Sequence, residues 1–519
     1  MTEFLRAGNG EQSARLNATL LHSSYNPQRE AERFVSALPA ARCYLVIGCG
    51  LGHIASAIRR SYPDARLLTL HPSDELAAAA QRTPGTHWSE GSGEPLSRAI
   101  SRAFRGEADY GFELVPWEPS RLAAPDWFRR TESSVLSIAR QRHTSLLTTG
   151  YFGRRWLRNS LRNLREPGAR EFRIETDRMP TIVAPGPTLE TSLSYIRRRR
   201  DSLFILAVSS ALPVLAAGKI TPDLLVHTDG GFWARYHLPP RLPSSLPIAA
   251  APRACLPPEF RERIALFLPD ASSPLEMALA SAGGRPILPL PGHGTVTGTA
   301  IELAGTLFPG EFLLLGVDLA SYGYRTHARG HAFEPLVHAS TSRLTPLPGQ
   351  LRARLRRPVI LTGEWEQSEE LALYADALKG DLAASNRAVY RLAPSPVALP
   401  ATEIDAAFLP PRRRISALCG PGGERGESGV ESDGGAHTRE GAKERLEACM
   451  RELGSGFSAI SLGEADSSVA EELARHLALP ELLRLRAALL SGEQVQSAST
   501  EVEERVRREV ERLLEETKG

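Results

Sequence analysis

The sequence predicts an α/β protein in which two Rossmann-like, doubly wound domains are joined by helices and followed by a C-terminal helical region. Two observations support this fold class. Short apolar runs typical of buried strands alternate with helical segments in two separate stretches of the chain. Beyond residue 441, apolar residues recur at i, i+3 and i+4, as on one face of a helix. The 519 residues suffice for about three domains.

The N-terminal part contains one strand–turn–helix–strand unit. Cys43–Ile47 and Arg66–Leu70 are apolar enough for buried strands, Gly48–Gly52 is a tight turn and Ile54–Tyr62 a helix. The glycine spacing, G-x-G-x-G, is nearer to methyltransferase folds than to dinucleotide-binding folds. In either class the second strand normally ends in Asp or Glu. Because His71 stands at that position, we expect a structural role for the turn, and a methyltransferase site there is an alternative.

A second alternation of strands and helices follows a long helical stretch that ends near residue 164. Its predicted strands are Thr181–Ala184, Leu203–Val208, Leu224–His227, Ile264–Leu268, Pro286–Leu290 and Phe312–Leu315, and its predicted helices include Leu212–Ala217 and Val296–Leu307. The segment before the tail is rich in Gly, Glu and Ser and is predicted to be a linker. The predicted domains are residues 1–125 (N-terminal Rossmann-like), 126–170 (helical connector), 171–415 (central), 416–441 (flexible linker) and 442–519 (C-terminal helical).

Composition and charge exclude several classes of function. The formal net charge of +2 gives no global attraction to nucleic acid or to an anionic membrane. Five scattered cysteines without a C-x-x-C pair indicate neither a disulfide framework nor a thiolate zinc site. The first residues form no signal segment, and no apolar run reaches the about 20 residues of a membrane span. We therefore expect a cytoplasmic protein without nucleic-acid or membrane partners.

Three predicted strand ends in the central part have residues suited to chemistry. The turn Gly186–Leu189 ends a strand and opens a helix, where backbone N–H groups favour an anion. Asp229 ends another strand and precedes two glycines, so its carboxylate can hold sugar hydroxyls or act as a base. Asp318 ends a third strand, before a loop with His327 and His331. Because parallel strands end at one edge of a sheet, these residues predict a ligand site there.

Taken in order, these motifs resemble those of the motility accessory factor proteins, a family of bacterial flagellin glycosyltransferases. The resemblance covers roughly residues 20–390. The motifs behind it are Ser24–Pro27 with Glu30–Arg33, Gly48–Gly52, Trp156 with Asn159 and Asn163, Pro185–Leu189, Ala217–Asp229, Gly292–Val296, and Gly316–Ala320 followed by Thr326–Ala328 and Gly330.

The resemblance implies a cytoplasmic enzyme that transfers a nonulosonic acid, of the pseudaminic or legionaminic type, from its CMP-activated form to Ser/Thr hydroxyls of flagellin. It also implies a central domain similar to sialyltransferases and to 6-hydroxymethylpterin pyrophosphokinases. The implied catalytic residues are His327, Asp229 and Asp318. The implied donor-binding residues are Gly186, Pro187, Thr188, Leu189, Asp223, Gly292, Gly294, Thr295 and Gly316.

The sequence also bears on the mechanism. It has no D-x-D pair, which metal-dependent transferases use to hold Mg²⁺ or Mn²⁺ against a diphosphate leaving group. We therefore expect an inverting, metal-independent transfer with no cofactor beyond the CMP-sugar substrate. His327 is the first choice for the base because its reference pKa of about 6.5 suits proton transfer near neutrality. His331, His227 and Asp229 remain possible bases.

Two other functions stay open. A pterin pyrophosphokinase-like phosphoryl transferase would need a Mg-ATP site, for which the sequence offers neither G-x-x-x-x-G-K-[ST] nor an obvious acidic pair. A non-catalytic flagellin-binding chaperone or assembly factor would need no intact site.

Overall fold

The computed structural model describes residues 2–104, 109–239, 242–354, 358–385, 387–393, 395–420, 438–455, 468–491 and 495–517. By the contacts between residues the chain divides into two compact units. The first comprises Met1–Gly153 and Ala474–Val506, and the second comprises Arg154–Leu473 and Arg507–Gly519. The five-part domain division predicted from the sequence stays a prediction.

The first unit starts with a small antiparallel sheet of β1 (Thr2–Arg6), β2 (Gln12–Leu16) and β3 (Thr19–Leu20). Its main sheet is parallel and contains β4 (Cys43–Ile47), β5 (Arg66–His71), β6 (Thr86–Ser89) and β7 (Glu113–Pro116). The order of these strands is β6-β5-β4-β7. The accompanying helices are α1 (Pro27–Val35), α2 (His53–Ser61), α3 (Asp74–Ala80), α4 (Leu96–Phe104) and α5 (Glu118–Ala123).

Strand β4 shows why this sequence forms a sheet with two covered faces. All its residues are fully buried, as expected for a central parallel strand. Side chains alternate across a strand, so Tyr44 and Val46 enter one apolar cluster, and Leu45 and Ile47 enter the cluster on the other face. The predicted doubly wound arrangement is confirmed for this unit.

Helix α6 (Pro125–Leu164) is 40 residues long, and the boundary between the two units falls within it. The sequence predicts the same helix from Trp127 onward, within two residues of its start.

The second unit is built on a larger parallel sheet. Its strands are β9 (Met179–Val183), β10 (Leu203–Val208), β11 (Leu224–His227), β12 (Ile248–Ala250), β13 (Ile264–Phe267), β14 (Phe312–Leu315), β18 (Val389–Leu392) and β19 (Thr402–Ile404). In the described part of the chain they form one eight-stranded sheet in the order β13-β12-β11-β10-β9-β14-β18-β19. The unit also contains two small antiparallel sheets. One pairs β8 (Phe172–Thr176) with β20 (Ile415–Cys419), and the other consists of β15 (Ser321–Tyr322), β17 (Trp365–Gln367) and β16 (Val359–Thr362), with β17 in the middle.

The helices of this unit surround the sheet and supply an extensive apolar core. They are α7 (Leu189–Arg199), α8 (Leu212–Ala217), α9 (Pro258–Arg261), α10 (Pro274–Gly283), α11 (Val296–Leu307), α12 (Glu334–Ala339), α13 (Leu347–Arg354), α14 (Glu369–Ala384) and α15 (Arg439–Ser455). The chain leaves β9 in one direction through β10 to β13, and it then returns to the other side of β9 with β14. This reversal is the topological switch point, where open α/β sheets bind ligands.

Two sequence predictions differ from this architecture. Pro286–Leu290 is wrong as a strand: only isolated bridges, Phe267 to Ile287 and Asp270 to Leu290, form there, because Pro286 and Pro289 have no N–H for a continuous ladder. The predicted linker begins within β20, which pairs with β8, and its residues 421–437 lie outside the described residues.

The tail is helical, as predicted, and contains α16 (Ser468–Leu477), α17 (Leu479–Ser491) and α18 (Val495–Thr517) besides α15. Helix α17 is an element that the sequence analysis missed. None of the helices α1 to α18, as far as the chain is described, is long and apolar enough to cross a membrane.

Candidate functional site

A cavity of about 220 Å³ opens at the switch point of the eight-stranded sheet. Residues that follow β9, β10 and β14 line it at the carboxyl ends of those strands, together with the start of α11, the loop after β15 and one face of α14. Of the residues predicted from the sequence, it brings together Gly186, Thr295, Gly316, Asp318 and His327. Position and lining agree with the strand-end rule used in the sequence analysis.

The turn after β9 requires glycine for steric reasons. A Cβ on Gly186 would lie 2.5 Å from both Asp318 Oδ2 and the Gly316 carbonyl oxygen. Gly316 adopts φ +68°, and a Cβ there would lie 2.2 Å from the carbonyl oxygen of Ala184. These glycines let the loops after β9 and β14 touch, and their contact forms one wall of the cavity.

The backbone N–H groups of this turn are already used within the protein. Each non-proline N–H from residue 186 to 190 donates to a protein oxygen: Gly186 to Gly316 O (2.8 Å), Thr188 to Asp318 Oδ2 (2.7 Å), Leu189 to Gly186 O (2.9 Å) and Glu190 to Pro187 O (3.2 Å). The start of α7 therefore shapes the cavity wall but has no free donors in this state. This differs from the phosphate cradle that the resemblance implies for Gly186, Pro187, Thr188 and Leu189.

Asp318 holds this turn in place. Both carboxylate oxygens accept hydrogen bonds from Thr188, one from its N–H and one from its hydroxyl (2.5 Å). Its side chain is buried, and burial raises the pKa of this carboxyl to about 6, against the opposing effect of the Thr188 donors. With both oxygens engaged, Asp318 has the geometry of a positioning residue rather than of a catalytic base.

The turn before α11 forms the opposite wall. Thr295 caps the helix by accepting the Gly298 N–H at 3.0 Å. Among the described residues, the N–H groups of Val296 and Thr297 have no hydrogen-bond acceptor, and both residues line the cavity. Free donors for an anion therefore lie at α11 and not at α7.

The two predicted glycines of the α11 turn make room for neighbouring side chains. A Cβ on Gly292 would lie 2.4 Å from Asp270 Oδ2, and one on Gly294 would lie 3.1 Å from Tyr374 Cε1. The glycines thus bring the turn against the end of β13 on one side and against α14 on the other.

His327 lies on a loop that is fastened to α7. The Ala328 N–H donates to the Pro185 carbonyl at 2.7 Å, and Arg325 forms an ion pair with Glu190 at 2.7 Å. The loop therefore holds His327 at the rim of the cavity, half-buried.

The environment of His327 favours a neutral imidazole. Burial, together with the positive charges that His331 and His237 can acquire, lowers the pKa of His327 to about 4. The rings of His327 and His331 stack with centroids 5.2 Å apart and planes at 30°. His327 Nδ1 is 2.8 Å from the hydroxyl of Thr326, and in the tautomer in which Nδ1–H donates to this hydroxyl, Nε2 can receive a proton from a substrate.

Asp229 lies at the end of β11 but does not line the cavity. It is exposed, and one carboxylate oxygen accepts the Gly231 N–H at 2.7 Å. The motif residues of α6 fix its loop. A Cβ on Gly230 would lie 2.6 Å from Trp156, and Asn159 and Asn163 donate to backbone carbonyls of this loop and of the loop after β12.

Asp223 is a donor-binding prediction that the structure contradicts. It precedes β11, at the amino ends of the strands and opposite the edge where the cavity lies. Its carboxylate accepts from Arg178 (2.9 Å), Arg200 (3.0 Å) and the Ile205 N–H (2.8 Å), so it ties strand starts together. The sequence contains a signal for this position, because Asp223 comes directly before the apolar run of β11 and not after it.

The sequence analysis missed several residues of the cavity. Ser210 follows β10 as Gly186 follows β9, so the strand-end rule could have found it. Leu371 and Tyr374 belong to α14, more than fifty residues after the last predicted motif strand, and no local signal marks them. In the described residues, no three His, Cys, Asp or Glu side chains are grouped to hold a metal ion.

The glycine turn of the first unit is filled by protein at the corresponding switch point. A Cβ on Gly48, Gly50 or Gly52 would lie 2.2–2.4 Å from side chains of Ser120, His22 and Thr83, respectively. His22 Nε2 also accepts the Leu51 N–H at 2.9 Å. His71 is buried at the end of β5, and its Nε2 lies 3.2 Å from Nδ1 of His87. The three glycines therefore allow these side chains to pack closely against the turn.

The fold is that of an α/β protein with a cavity at the switch point of its larger sheet. Residues 154–323 match the family model described as 6-hydroxymethylpterin diphosphokinase MptE-like. A solved structure, that of a MAf glycosyltransferase from Magnetospirillum magneticum AMB-1, aligns with a TM-score of 0.53 and 13% identity over 99% of this chain and 91% of that chain. The predicted resemblance is thereby confirmed at the level of the fold.

Similar sequences occur in Treponema pallidum (strain Nichols). One uncharacterized protein is 32% identical over 42% of this chain and 48% of its own length. A second uncharacterized protein is 25% identical over 63% of this chain and 61% of its own length. The chain thus spans about half the length of the first of these relatives and somewhat more of the second.

Proposed function

We propose that this chain is a glycosyltransferase that moves a nonulosonic acid from its CMP-activated form to Ser/Thr hydroxyls of flagellin. The observation that supports this best is the switch-point cavity, which is lined by His327 and by Val296 and Thr297 of α11, whose backbone N–H groups have no acceptor among the described residues. The motif order and the fold of the MAf glycosyltransferase from Magnetospirillum magneticum favour this donor and acceptor.

The donor phosphate fits the α11 side of the cavity. Val296, Thr297 and Ser210 line the cavity, so the N–H groups of the first two and the hydroxyl of the third can serve as donors to a phosphate, and the helix dipole adds favourable charge. The turn at Gly186 sets the shape of the other wall. This differs from the phosphate role that the resemblance gives to Gly186–Leu189.

The chemistry we propose is a single inverting displacement. The acceptor hydroxyl loses its proton to Nε2 of His327, its oxygen bonds to the anomeric carbon, and the bond from that carbon to the CMP phosphate oxygen breaks with its electron pair. The pKa of about 4 keeps His327 neutral at pH 7, and the negative donor raises this pKa once bound. CMP leaves as a phosphate monoester, which helix and hydroxyl donors can stabilise without a metal ion.

The test is transfer from a CMP-nonulosonic acid to purified flagellin, followed by intact-protein mass. We expect His327→Gln to lower kcat by about 100-fold or more while CMP still binds, because proton transfer to a positioned base contributes 10²–10⁴-fold. The control is His338→Gln, an exposed histidine on α12 outside the cavity lining. Full turnover by His327→Gln would show that His327 is not the general base. Absence of transfer by the wild type would favour the chaperone alternative.

A phosphoryl transferase is the second candidate, because residues 154–323 match the MptE-like pyrophosphokinase model. That reaction needs Mg²⁺ to bridge the phosphates of ATP. Incubation with Mg-ATP and 6-hydroxymethylpterin distinguishes the two candidate functions. Formation of the pterin diphosphate and AMP would contradict the glycosyltransferase proposal and support the phosphoryl transferase.

A further inference from the structure

The cavity is lined by both polar and apolar side chains. Asp318 and His327 are among the polar ones, and Leu371 and Tyr374 of α14 also line the cavity. No strand-end or helix-terminus rule accounts for a tyrosine and a leucine in this position. They form a wall suited to a flat, apolar surface of a ligand.

The fold holds Tyr374 firmly. Ser368 caps α14 by accepting the Leu371 N–H, and Ala375, Leu378 and Leu382 bury the same helix in the sheet's core. Leu371 and Tyr374 extend this face toward the cavity, one helical turn apart.

Gly294 sets the position of the tyrosine ring. Because a Cβ at Gly294 would lie 3.1 Å from Tyr374 Cε1, the α11 turn packs against the edge of the ring. The tyrosine side chain is 39% exposed, so part of its surface remains open. An aromatic ring that is held at its edge and lines a cavity is ready to stack on a planar ligand.

We propose that Tyr374 stacks on the nucleobase of the donor, with Leu371 beside it. This rests on the proposed function and extends it by giving the donor a direction: base toward α14, phosphate at the start of α11, and sugar toward His327. Stacking is tolerant of base identity, so Tyr374 supplies affinity for the base and does not choose between pyrimidines.

The test compares two ligands by calorimetry on the full chain. CMP has the base, and ribose 5-phosphate keeps the sugar and phosphate without it. Because stacking on an aromatic side chain is worth ~1–3 kcal/mol per base, Tyr374→Ala should weaken CMP binding by about tenfold or more. It should leave ribose 5-phosphate binding unchanged, and Tyr374→Phe should bind both ligands like the wild type.

Two further variants serve as controls. Leu373→Ala changes the neighbouring residue, which is 67% exposed and absent from the cavity wall, and should bind CMP normally. Tyr374→Leu keeps the apolar contact with the helix and removes the aromatic face, so it should lose CMP affinity as Tyr374→Ala does, even if the alanine variant folds poorly.

Three results would overturn the inference. The first is equal CMP affinity in the wild type, Tyr374→Ala and Tyr374→Leu. The second is weaker binding of both ligands together, which is the result of a purely structural role. Either outcome leaves the proposed function intact when the wild type binds CMP. Absence of CMP binding in the wild type contradicts the proposed function as well.

Discussion

At the residue scale, the site depends on side chains that hold backbone in place. Both carboxylate oxygens of Asp318 accept hydrogen bonds from Thr188, and the side-chain amide of Asn163 donates to two backbone carbonyls of the loop after β12. Such buried, fully bonded groups fix loops accurately and are costly to leave unpaired. The groups left for chemistry are few, and His327 is the titratable one at the cavity rim.

His327 gives a pH prediction. Because burial, His331 and His237 lower its pKa to about 4 in the free protein, the imidazole is neutral near pH 7, and kcat/KM should stay level there and fall as the pH approaches about 4. His331→Gln removes a charge that opposes protonation of His327, so the acid limb of the kcat/KM profile should move to higher pH. An acid limb at the same pH in both proteins would contradict the coupling.

At the scale of elements, the sequence analysis predicted the buried strands correctly from their apolar runs, but it did not predict the interactions of the loops. Strands such as Leu224–His227 and Phe312–Leu315 match the structure residue for residue, because continuous burial of a parallel strand requires an apolar run. The occupation of the α7 N–H groups by Asp318 was beyond sequence reasoning, since it depends on contact between residues 130 positions apart. Tyr374 was missed for the same reason.

The switch point of the first unit is packed with side chains, whereas that of the second unit has a cavity. Substitution of a glycine in the turn of the first unit tests how tightly that turn is packed. Gly50→Ala places a Cβ 2.3 Å from His22 at φ +59°, so it should destabilise the protein by about 1–3 kcal/mol in urea unfolding. Gly10→Ala is the matched control, because Gly10 also has positive φ (+87°) but nothing within 4 Å. Equal losses in the two variants would show that only φ matters and that the turn is not filled.

At the scale of the whole molecule, one chain contains two doubly wound sheets with different uses. In the smaller sheet the glycine turn at the switch point packs against His22, Ser120 and Thr83, while a cavity lies at the same topological position of the larger sheet. The sequence analysis expects the ligand in the second unit, from the glycine spacing, from His71 and from the strand-end residues.

The central claim is that this cavity binds a CMP-type donor without a metal ion. The most direct measurement is calorimetric titration of the full chain with CMP in EDTA, repeated on Gly186→Ala and on the control Gly380→Ala, whose added Cβ meets nothing within 4 Å. We predict one CMP per chain for the wild type and for Gly380→Ala. Gly186→Ala should lose binding because its Cβ would push the loop after β9 away from the loop after β14, which contains Gly316 and Asp318. Binding only of Mg-ATP, or CMP binding that Gly186→Ala leaves unchanged, would contradict the account.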